Sequence, residues 1–570
     1  MCKRRFPMVF VFVILLAVLP LTSLAGDAMH LEELNFYNSS KDIFRGSPSD
    51  WNKTDTRTYG VSPSEWYSTW QDNPALVELQ GDFVFISSMF YSGSYSDFSA
   101  DMYKVNALAV GLRTSDISEE YIGNSTGTDL GFLMALSDSA TLGGLLHYRY
   151  DGMLGEGDSL IYRLRPLLPD AIFSYVDSEH RSDAHSTGLT LLYDLNFSDT
   201  FSLGLDLTYL FTSESTNNTV NMKEITFDGS GVIIRRESER TARETVFTTH
   251  RLSPTVGASF TPSNTFSLNL AVTTDIIFGE VEKNMDAADR TNGLPTNPLD
   301  YRERLDGGGL SGYGITAEAD AEIFLTDALS LSLLLCGSYL ETSWDIDGDV
   351  SGWFDPDNYK SCLHLAPGTN EYEYEEHTWH TTFGVGMNYA LSKVALHSLL
   401  TYTRWERDTA YYMENLFTTP ISGVPHSIFT QRTGEELDIL TLKLGTTLDV
   451  SSAISMDFGL GYSVGWGDYD YYEYIHSWDS SFQDGLFILL NETDTFHELS
   501  AAVSMIITPM ENLNITLSAM GAFPLDGKSY PLDGSMINGN PASGLQGDFS
   551  LDSEISTWNY GGNLSIEYRF

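Results

Sequence analysis

Residues 558–570 read WNYGGNLSIEYRF and end the chain. Trp558, Tyr560, Leu564, Ile566, Tyr568 and Phe570 share one parity, while Asn559, Asn563, Ser565, Glu567 and Arg569 share the other. Successive side chains of a β-strand point to opposite faces, so the segment reads as a strand with one apolar and one polar face. A strand of a soluble sandwich alternates in the same way over about half this length.

The same two-residue period recurs along the chain. Phe201, Leu203, Leu205, Leu207 and Tyr209 stand against Ser202, Gly204, Asp206 and Thr208; Ile454, Met456, Phe458, Leu460 and Tyr462 stand against Ser455, Asp457, Gly459, Gly461 and Ser463. In Tyr313–Leu325 the polar parity holds Thr316, Glu318, Asp320 and Glu322. A charge facing hydrocarbon costs roughly 2–4 kcal/mol, so these side chains are expected to face water inside a closed barrel. By the same parity Asp194, Asp206, Asp449, Asp457, Glu567, Arg149 and Lys443 are expected to line the lumen with them.

Small polar turns join the strands in pairs: Ser137-Asp138-Ser139, Ser198-Asp199, Ser263-Asn264, Thr326-Asp327, Ser392-Lys393, Ser451-Ser452 and Met510-Glu511. The opposite connections, Thr212–His250, Gly279–Ser311, Glu341–Thr378 and Gly465–Thr495, are long, polar and aromatic, and read as outer loops. Turn positions 138, 198, 263, 326, 392, 451 and 510 lie 59 to 66 residues apart, one strand pair and one outer loop per step. Seven turns with an opening strand at Phe83–Tyr91 and a closing one at Phe570 predict an all-β, antiparallel transmembrane barrel of sixteen strands. Fourteen or eighteen stay open, because Val105–Leu112 fits either the first outer loop or an extension of the first strand. The closing strand, with Tyr568 and Phe570, resembles the carboxy-terminal sorting strand of bacterial outer-membrane barrels, which implies the barrel-assembly machinery and outer-membrane lipid and lipopolysaccharide as partners.

At the other end, Lys3, Arg4 and Arg5 precede an apolar run from Met8 to Leu19 and then Ser23-Leu24-Ala25, the order of a secretory signal peptide over 1–25. Export to the outer membrane of a two-membraned bacterium follows as an expectation. Cleavage would remove three of the 31 basic residues and no acidic one, leaving 28 against 78, a net −50. Such a field disfavours nucleic acid as a partner. Of the 3 cysteines only Cys336 and Cys362 would remain, with neither a disulfide framework nor metal-ligand spacing, and Cys336 falls mid-strand. No cofactor is implied.

Residues 26–77 have no sustained alternation, yet Trp51, Tyr59, Trp66, Tyr67 and Trp70 are many aromatics for a disordered tail. They read as a periplasmic or lumenal plug, with the barrel following over 78–570. The segment closes on Asn73-Pro74-Ala75-Leu76 just ahead of the first strand. In this order of parts the chain resembles the FadL-type outer-membrane transporters of long-chain fatty acids and aromatic hydrocarbons, whose amino-terminal hatch carries an Asn-Pro-Ala motif and leads into the barrel. The likeness assigns Asn73, Pro74 and Ala75 to that motif. It departs in strand number, sixteen here against fourteen, and in lacking a Gly-rich run before the motif. It implies passive uptake of a hydrophobic small molecule: capture among outer aromatics such as Tyr372–Trp379 and Tyr469–Trp478, passage beside the hatch, and release through a gap in the wall.

A cation-preferring general or substrate-selective porin is the rival, since sixteen strands enclose an aqueous channel unless something fills it. Catalysis is not expected: His147 and His397 fall on the polar parity, but neither has a Ser or Asp at motif spacing. Asp345, Asp347 and Asp349 form a weak calcium candidate, lacking the full twelve-residue loop and its closing Glu.

Overall fold

The computed structural model describes residues 73–76, 82–105, 112–164, 171–227, 233–291, 294–295, 301–351, 368–417, 427–477, 486–525, 528–538 and 546–570. The signal segment, residues 26–72, Cys362 and Trp478 lie outside these. The strands are β1 (Phe83–Val105), β2 (Leu112–Ser137), β3 (Ala140–Leu164), β4 (Ala171–Ser198), β5 (Phe201–Phe227), β6 (Ile233–Ser263), β7 (Phe266–Thr291), β8 (Leu294–Pro295) and β9 (Tyr301–Thr326). They continue as β10 (Leu329–Ser351), β11 (Gly368–Ala390), β12 (Val394–Phe417), β13 (Ser427–Ser451), β14 (Ile454–Ser477), β15 (Leu486–Met510), β16 (Leu513–Pro524), β17 (Lys528–Asn538) and β18 (Gln546–Arg569).

Each strand pairs antiparallel with its neighbours, and β1 pairs with both β2 (Phe83 opposite Leu133) and β18 (Phe83 opposite Arg569), which closes the sheet. The two-residue β8 bridges only to β7, and β16 and β17 both lie between β15 and β18 as one interrupted strand. The wall therefore has sixteen positions, the number expected from the turns.

Those turns owe their tightness to their first residue. A serine or threonine hydroxyl accepts from the backbone N–H two residues on in Ser137–Ser139 (3.3 Å), Ser198–Thr200 (3.3 Å), Ser263–Thr265 (3.4 Å), Thr326–Ala328 (3.2 Å) and Ser451–Ala453 (3.2 Å). This local bond stands in for a backbone turn and reverses the chain at low cost.

Parity divides the wall into two faces. Leu189, Leu191, Leu205, Leu207, Leu333, Leu335, Leu442, Leu444, Phe458 and Leu460 are exposed on the outside, while Asp194, Asp206, Glu318, Asp320, Lys443 and Asp457 are buried on the inside. Near the tight turns the exterior is bordered by aromatics such as Phe197 and Phe201, whose rings lie 5.8 Å apart. Towards the other end it is bordered by tyrosines, among them Tyr209 on the same strand. From Phe201 to Tyr209 is the length of about 9–11 residues that a tilted strand needs to cross a bilayer. This is a membrane-spanning barrel, and hydrocarbon is the solvent of its exposed leucines.

The strands do not stop at the tyrosines. Wall strands other than the interrupted pair run from 23 residues in β1 to 31 in β6, so their far halves continue as a paired wall beyond the membrane band. This corrects the reading of Thr212–His250, Gly279–Ser311, Glu341–Thr378 and Gly465–Thr495 as loops: most of each is ladder. Residues with polar side chains on both faces still satisfy backbone N–H and C=O groups by pairing, although they lose the alternation that reveals a strand. Val105–Leu112 resolves likewise, with β1 reaching Val105 and β2 beginning at Leu112.

One irregularity reorients a side chain. Gly307 has φ of 83°, a left-handed conformation that glycine adopts without penalty. There the register shifts from Val281 opposite Gly308 to Lys283 opposite Leu305. The extra residue is a β-bulge that reverses parity, and it turns Leu305 into the lumen, where it is fully buried.

Candidate functional site

The lumen is occupied near the tight-turn end. Asn73 to Leu76 form a short turn, Leu76 N–H donating to Asn73 O at 3.0 Å, and all are buried. The Asn73 carboxamide donates to the carbonyls of Ala258 in β6 (3.3 Å) and Leu270 in β7 (3.1 Å), while its Oδ1 accepts from Ala75 N–H (3.0 Å). Ser202 Oγ in β5 donates to Ala75 O at 2.7 Å. The fit needs glycine on the wall: a Cβ on Gly204 would lie 2.2 Å from the Pro74 carbonyl carbon. The Asn-Pro-Ala residues therefore sit inside the barrel, joined to β5, β6 and β7.

Above this turn the lumen carries polar side chains. Arg251 donates to Asp275 twice, from Nε (2.9 Å) and Nη2 (2.8 Å), and Ser253 donates to the same carboxylate at 2.5 Å. Pro254 follows, without an N–H to donate. The β6–β7 ladder passes from Leu252 opposite Ile276 to Thr255 opposite Thr273, leaving Ser253 and Pro254 out of it. Pro254 is level with Leu207, within the hydrocarbon band.

Asp194, Asp206, Glu318, Asp320, Lys443 and Asp457 are buried, Arg149 and Glu322 are half-buried, and Ser330 Oγ donates to Glu322 at 2.6 Å. Asp449 and Glu567 stand at the tight-turn rim, Glu567 accepting from Asn514 Nδ2 (3.3 Å) and Arg569 Nε (2.5 Å). Phe570 N–H donates to Asp82 O at 3.1 Å, and the Phe570 ring packs against Tyr568 at 5.5 Å.

At the far end one sector of the lumen, on β6, β7, β9, β10 and β11, is apolar. Phe247, Val281, Leu305, Trp344, Ile346 and Tyr372 form a buried cluster flanked by Leu310, Tyr374 and Tyr411. The Lys283 ammonium lies 4.4 Å from the centre of the Tyr372 ring and 5.8 Å from that of Tyr411. A cation over an aromatic face is held by the ring quadrupole. The Trp344 indole Nε1 is buried without a hydrogen-bond partner among the described residues.

Of the Tyr372–Trp379 cluster only Tyr372 and Tyr374 belong here. It is a strand, not a loop, and Trp379 faces outwards. Asp345 and Asp347 also face outwards from β10 and are exposed, so DIDGD is a strand rather than an ion-binding loop. Alternate residues of a strand stand about 6.6–6.8 Å apart along the chain and do not converge on one cation. No group of three candidate metal ligands occurs among the described residues, and Cys336 is a buried thiol whose Sγ donates to Glu318 Oε1 at 3.9 Å.

Sequence spacing hid the partners of the two histidines. His147 Nδ1 meets Asp129 Oδ1 at 2.9 Å and its Nε2 meets Thr190 Oγ1 at 3.4 Å, while His397 bridges Asn388 (3.0 Å) and Thr447 (3.2 Å). Both chains of contacts run across neighbouring strands and became visible only once the register was known. Lys283, Trp344 and the glycine socket had no motif to reveal them.

These features define a class: a membrane-spanning β-barrel with a turn of its own chain lodged in the lumen. No protein-family model matches the sequence, and no curated protein sequence matches it. Among solved structures, a FadL homologue of Pseudomonas aeruginosa is 12% identical, with 91% of this chain and 98% of that one covered at a TM-score of 0.41. The toluene transporter TodX of P. putida is 9% identical over 88% and 95% of the two chains, TM-score 0.33. The toluene transporter TbuX of Ralstonia pickettii is 10% identical over 88% and 92%, TM-score 0.28.

Proposed function

We propose that the barrel takes up small hydrophobic molecules, of fatty-acid or hydrocarbon type, by passive movement across the outer membrane. The observation that carries this reading is the buried cluster around Trp344 and Leu305 in the outer lumen. A water-filled channel has no use for apolar side chains in its mouth, whereas an apolar solute gains roughly 25 cal/mol per Å² of surface it removes from water there. From the cluster the solute moves inwards until it meets the Asn73–Leu76 turn. Sideways release beside Pro254, above that turn, would deliver it to the hydrocarbon without crossing the periplasmic rim. No energy source is required, and no covalent step.

The hatch role of Asn73, Pro74 and Ala75 belongs to this proposal. A cation-preferring porin is the weaker reading, because Asp194, Asp206, Asp320 and Asp457 are buried, not presented to an open water column. Uptake of a radiolabelled alkane or fatty acid by cells with and without the protein, together with planar-bilayer conductance, separates the two. Uptake without a steady current is expected; a large cation-selective current with no uptake would replace this proposal with the porin.

A further inference from the structure

The exterior carries a second ordered feature, at the height where the apolar band ends. Tyr148, Tyr209, Tyr339 and Tyr462 lie on β3, β5, β10 and β14, with ladder partners Thr187, Leu252, Trp379 and Leu499 on the next strand. In every case the residue two places further out on that next strand is a histidine, and the tyrosine hydroxyl meets its Nδ1: His185 at 3.3 Å, His250 at 2.7 Å, His377 at 3.2 Å and His497 at 2.8 Å. Four copies of one diagonal pair, on strands far apart in sequence, mark a band and not a local accident.

The pairing bears on the chemistry of His185, His250 and His497. A phenol O–H that donates to Nδ1 leaves the ring its own hydrogen on Nε2. The edge turned from the tyrosine is therefore a hydrogen-bond donor. Stacking holds the rings in place: His250 lies 5.1 Å from Phe278 at an interplanar angle of 14°, and His497 lies 6.1 Å from Tyr462 at 23°. At β4 a charged donor joins the band. Arg181, on the same face as His185 and half exposed, uses Nε for Asp183 at 3.1 Å, and its guanidinium carries further N–H groups. His377 differs, with Glu341 Oε2 3.6 Å from its Nδ1, and that copy is committed to a carboxylate.

The height identifies the occupant. Below the band lie exposed leucines such as Leu146, Leu207 and Leu460, which need acyl chains. Further out the exterior is acidic on β7, β10 and β11, with Glu280, Glu282, Asp345, Asp347, Glu373 and Glu375 exposed, and carries exposed Lys223, Arg236 and Arg240 on β5 and β6. The layer between holds lipid headgroups. A phosphate there is met by N–H donors at the band, which is the complementarity an anion needs.

We propose that the tyrosine-fixed histidines His185, His250 and His497, with Arg181, bind phosphate groups of the outer-leaflet lipid. This rests on the membrane-spanning fold and not on what the lumen carries. An interfacial aromatic belt without phosphate recognition is the competing account, and phenylalanine distinguishes them, since it keeps an aromatic ring in the band but carries no N–H. The test uses the full chain in detergent, titrated with bisphosphorylated lipid A or with the same lipid stripped of phosphate, and counts retained lipid by native mass spectrometry. The wild type is expected to prefer the phosphorylated lipid by about tenfold, as for one hydrogen bond to a charged group. The triple variant His185→Phe/His250→Phe/His497→Phe should lose most of that preference, and Arg181→Gln part of it. Equal retention of both lipids by the wild type, or an unchanged preference in the triple variant, overturns the proposal. If the triple variant does not fold, the wild-type comparison and Arg181→Gln decide.

Discussion

The carboxamide of Asn73 sits so close to Gly257 that a Cβ on the glycine would lie 2.1 Å from Asn73 Oδ1 and 2.8 Å from Pro74 Cδ. Gly257→Ala should therefore push the lumenal turn off its seat while leaving the β6 ladder intact. Overpacking of this kind costs about 1–3 kcal/mol, so a lower unfolding midpoint is expected, together with faster proteolysis of the amino-terminal segment in detergent-opened membranes. Asn73→Ala removes the donors to Ala258 and Leu270 without the clash and should produce the same protease sensitivity. Unchanged cleavage in both variants would mean that the turn does not anchor the segment before it.

Much of this barrel could be read in the sequence, and the reasons are physical. Hydrocarbon tolerates no charge, so every membrane-crossing stretch had to alternate, and Asp206, Glu318 and Asp457 could be assigned to the lumen before any fold was known. The serine and threonine turns mark the opposite rim for an equally local reason. Beyond the tyrosines the constraint disappears, because water lies on both sides of the wall, and so β5 past Thr212 or β10 past Glu341 looked like loop. The apolar outer cluster was hidden for a further reason. It draws one or two residues each from β6, β7, β9, β10 and β11, and Leu305 joins it only through the bulge at Gly307.

That bulge makes a prediction of its own. Deleting Gly307 leaves Leu305 two residues from Gly308 and therefore still inside, opposite Lys283, in a regular ladder, so the deletion should unfold no earlier than the wild type. Gly307→Val keeps the extra residue and forces a branched side chain into the left-handed conformation, at a cost of about 1–2 kcal/mol. Equilibrium unfolding in vesicles measures both, and a deletion that costs more than the substitution would show that the outer part of β9 needs the bulge itself.

Depth sets the cost of charge on the outside. Leu335→Arg places a cation mid-band and should cost about 2–4 kcal/mol, whereas Asp347→Arg, beyond the band on the same strand and face, should cost about 0–1 kcal/mol. Equal penalties in lipid vesicles would contradict the placement of the membrane at the tyrosine border.

Just outside that border, the Tyr339 hydroxyl donates to Glu341 at 2.6 Å. This bond first, then one from Tyr313 and the charge of His377, holds the Glu341 carboxyl below its ordinary value. A depressed carboxylate contributes stability that is complete above its unfolded-state pKa and is lost as pH falls through the folded-state value. Tyr339→Phe should thus raise the Glu341 pKa and leave acid stability less steep below about pH 4.5, with no change in slope near neutrality. Infrared titration of the carboxyl band compared with a Glu341→Gln reference reads the shift directly.

The transport reading depends most on the outer cluster. Trp344→Ala removes the ring that contacts Phe247 at 6.2 Å and Tyr374 at 5.7 Å, and should lower hydrocarbon uptake several-fold if that surface is where solutes first leave water. Truncating a buried tryptophan also costs roughly 3–5 kcal/mol, so surface abundance must be matched before rates are compared. Lys283→Met is the sharper probe. It keeps an apolar stem against Tyr372 and removes only the charge, so uptake of a neutral alkane should persist while uptake of a carboxylate-bearing chain falls if the ammonium receives the head group. Equal loss for both solutes would assign Lys283 to packing alone, and no loss for either in the Trp344 variant would place capture elsewhere on the barrel.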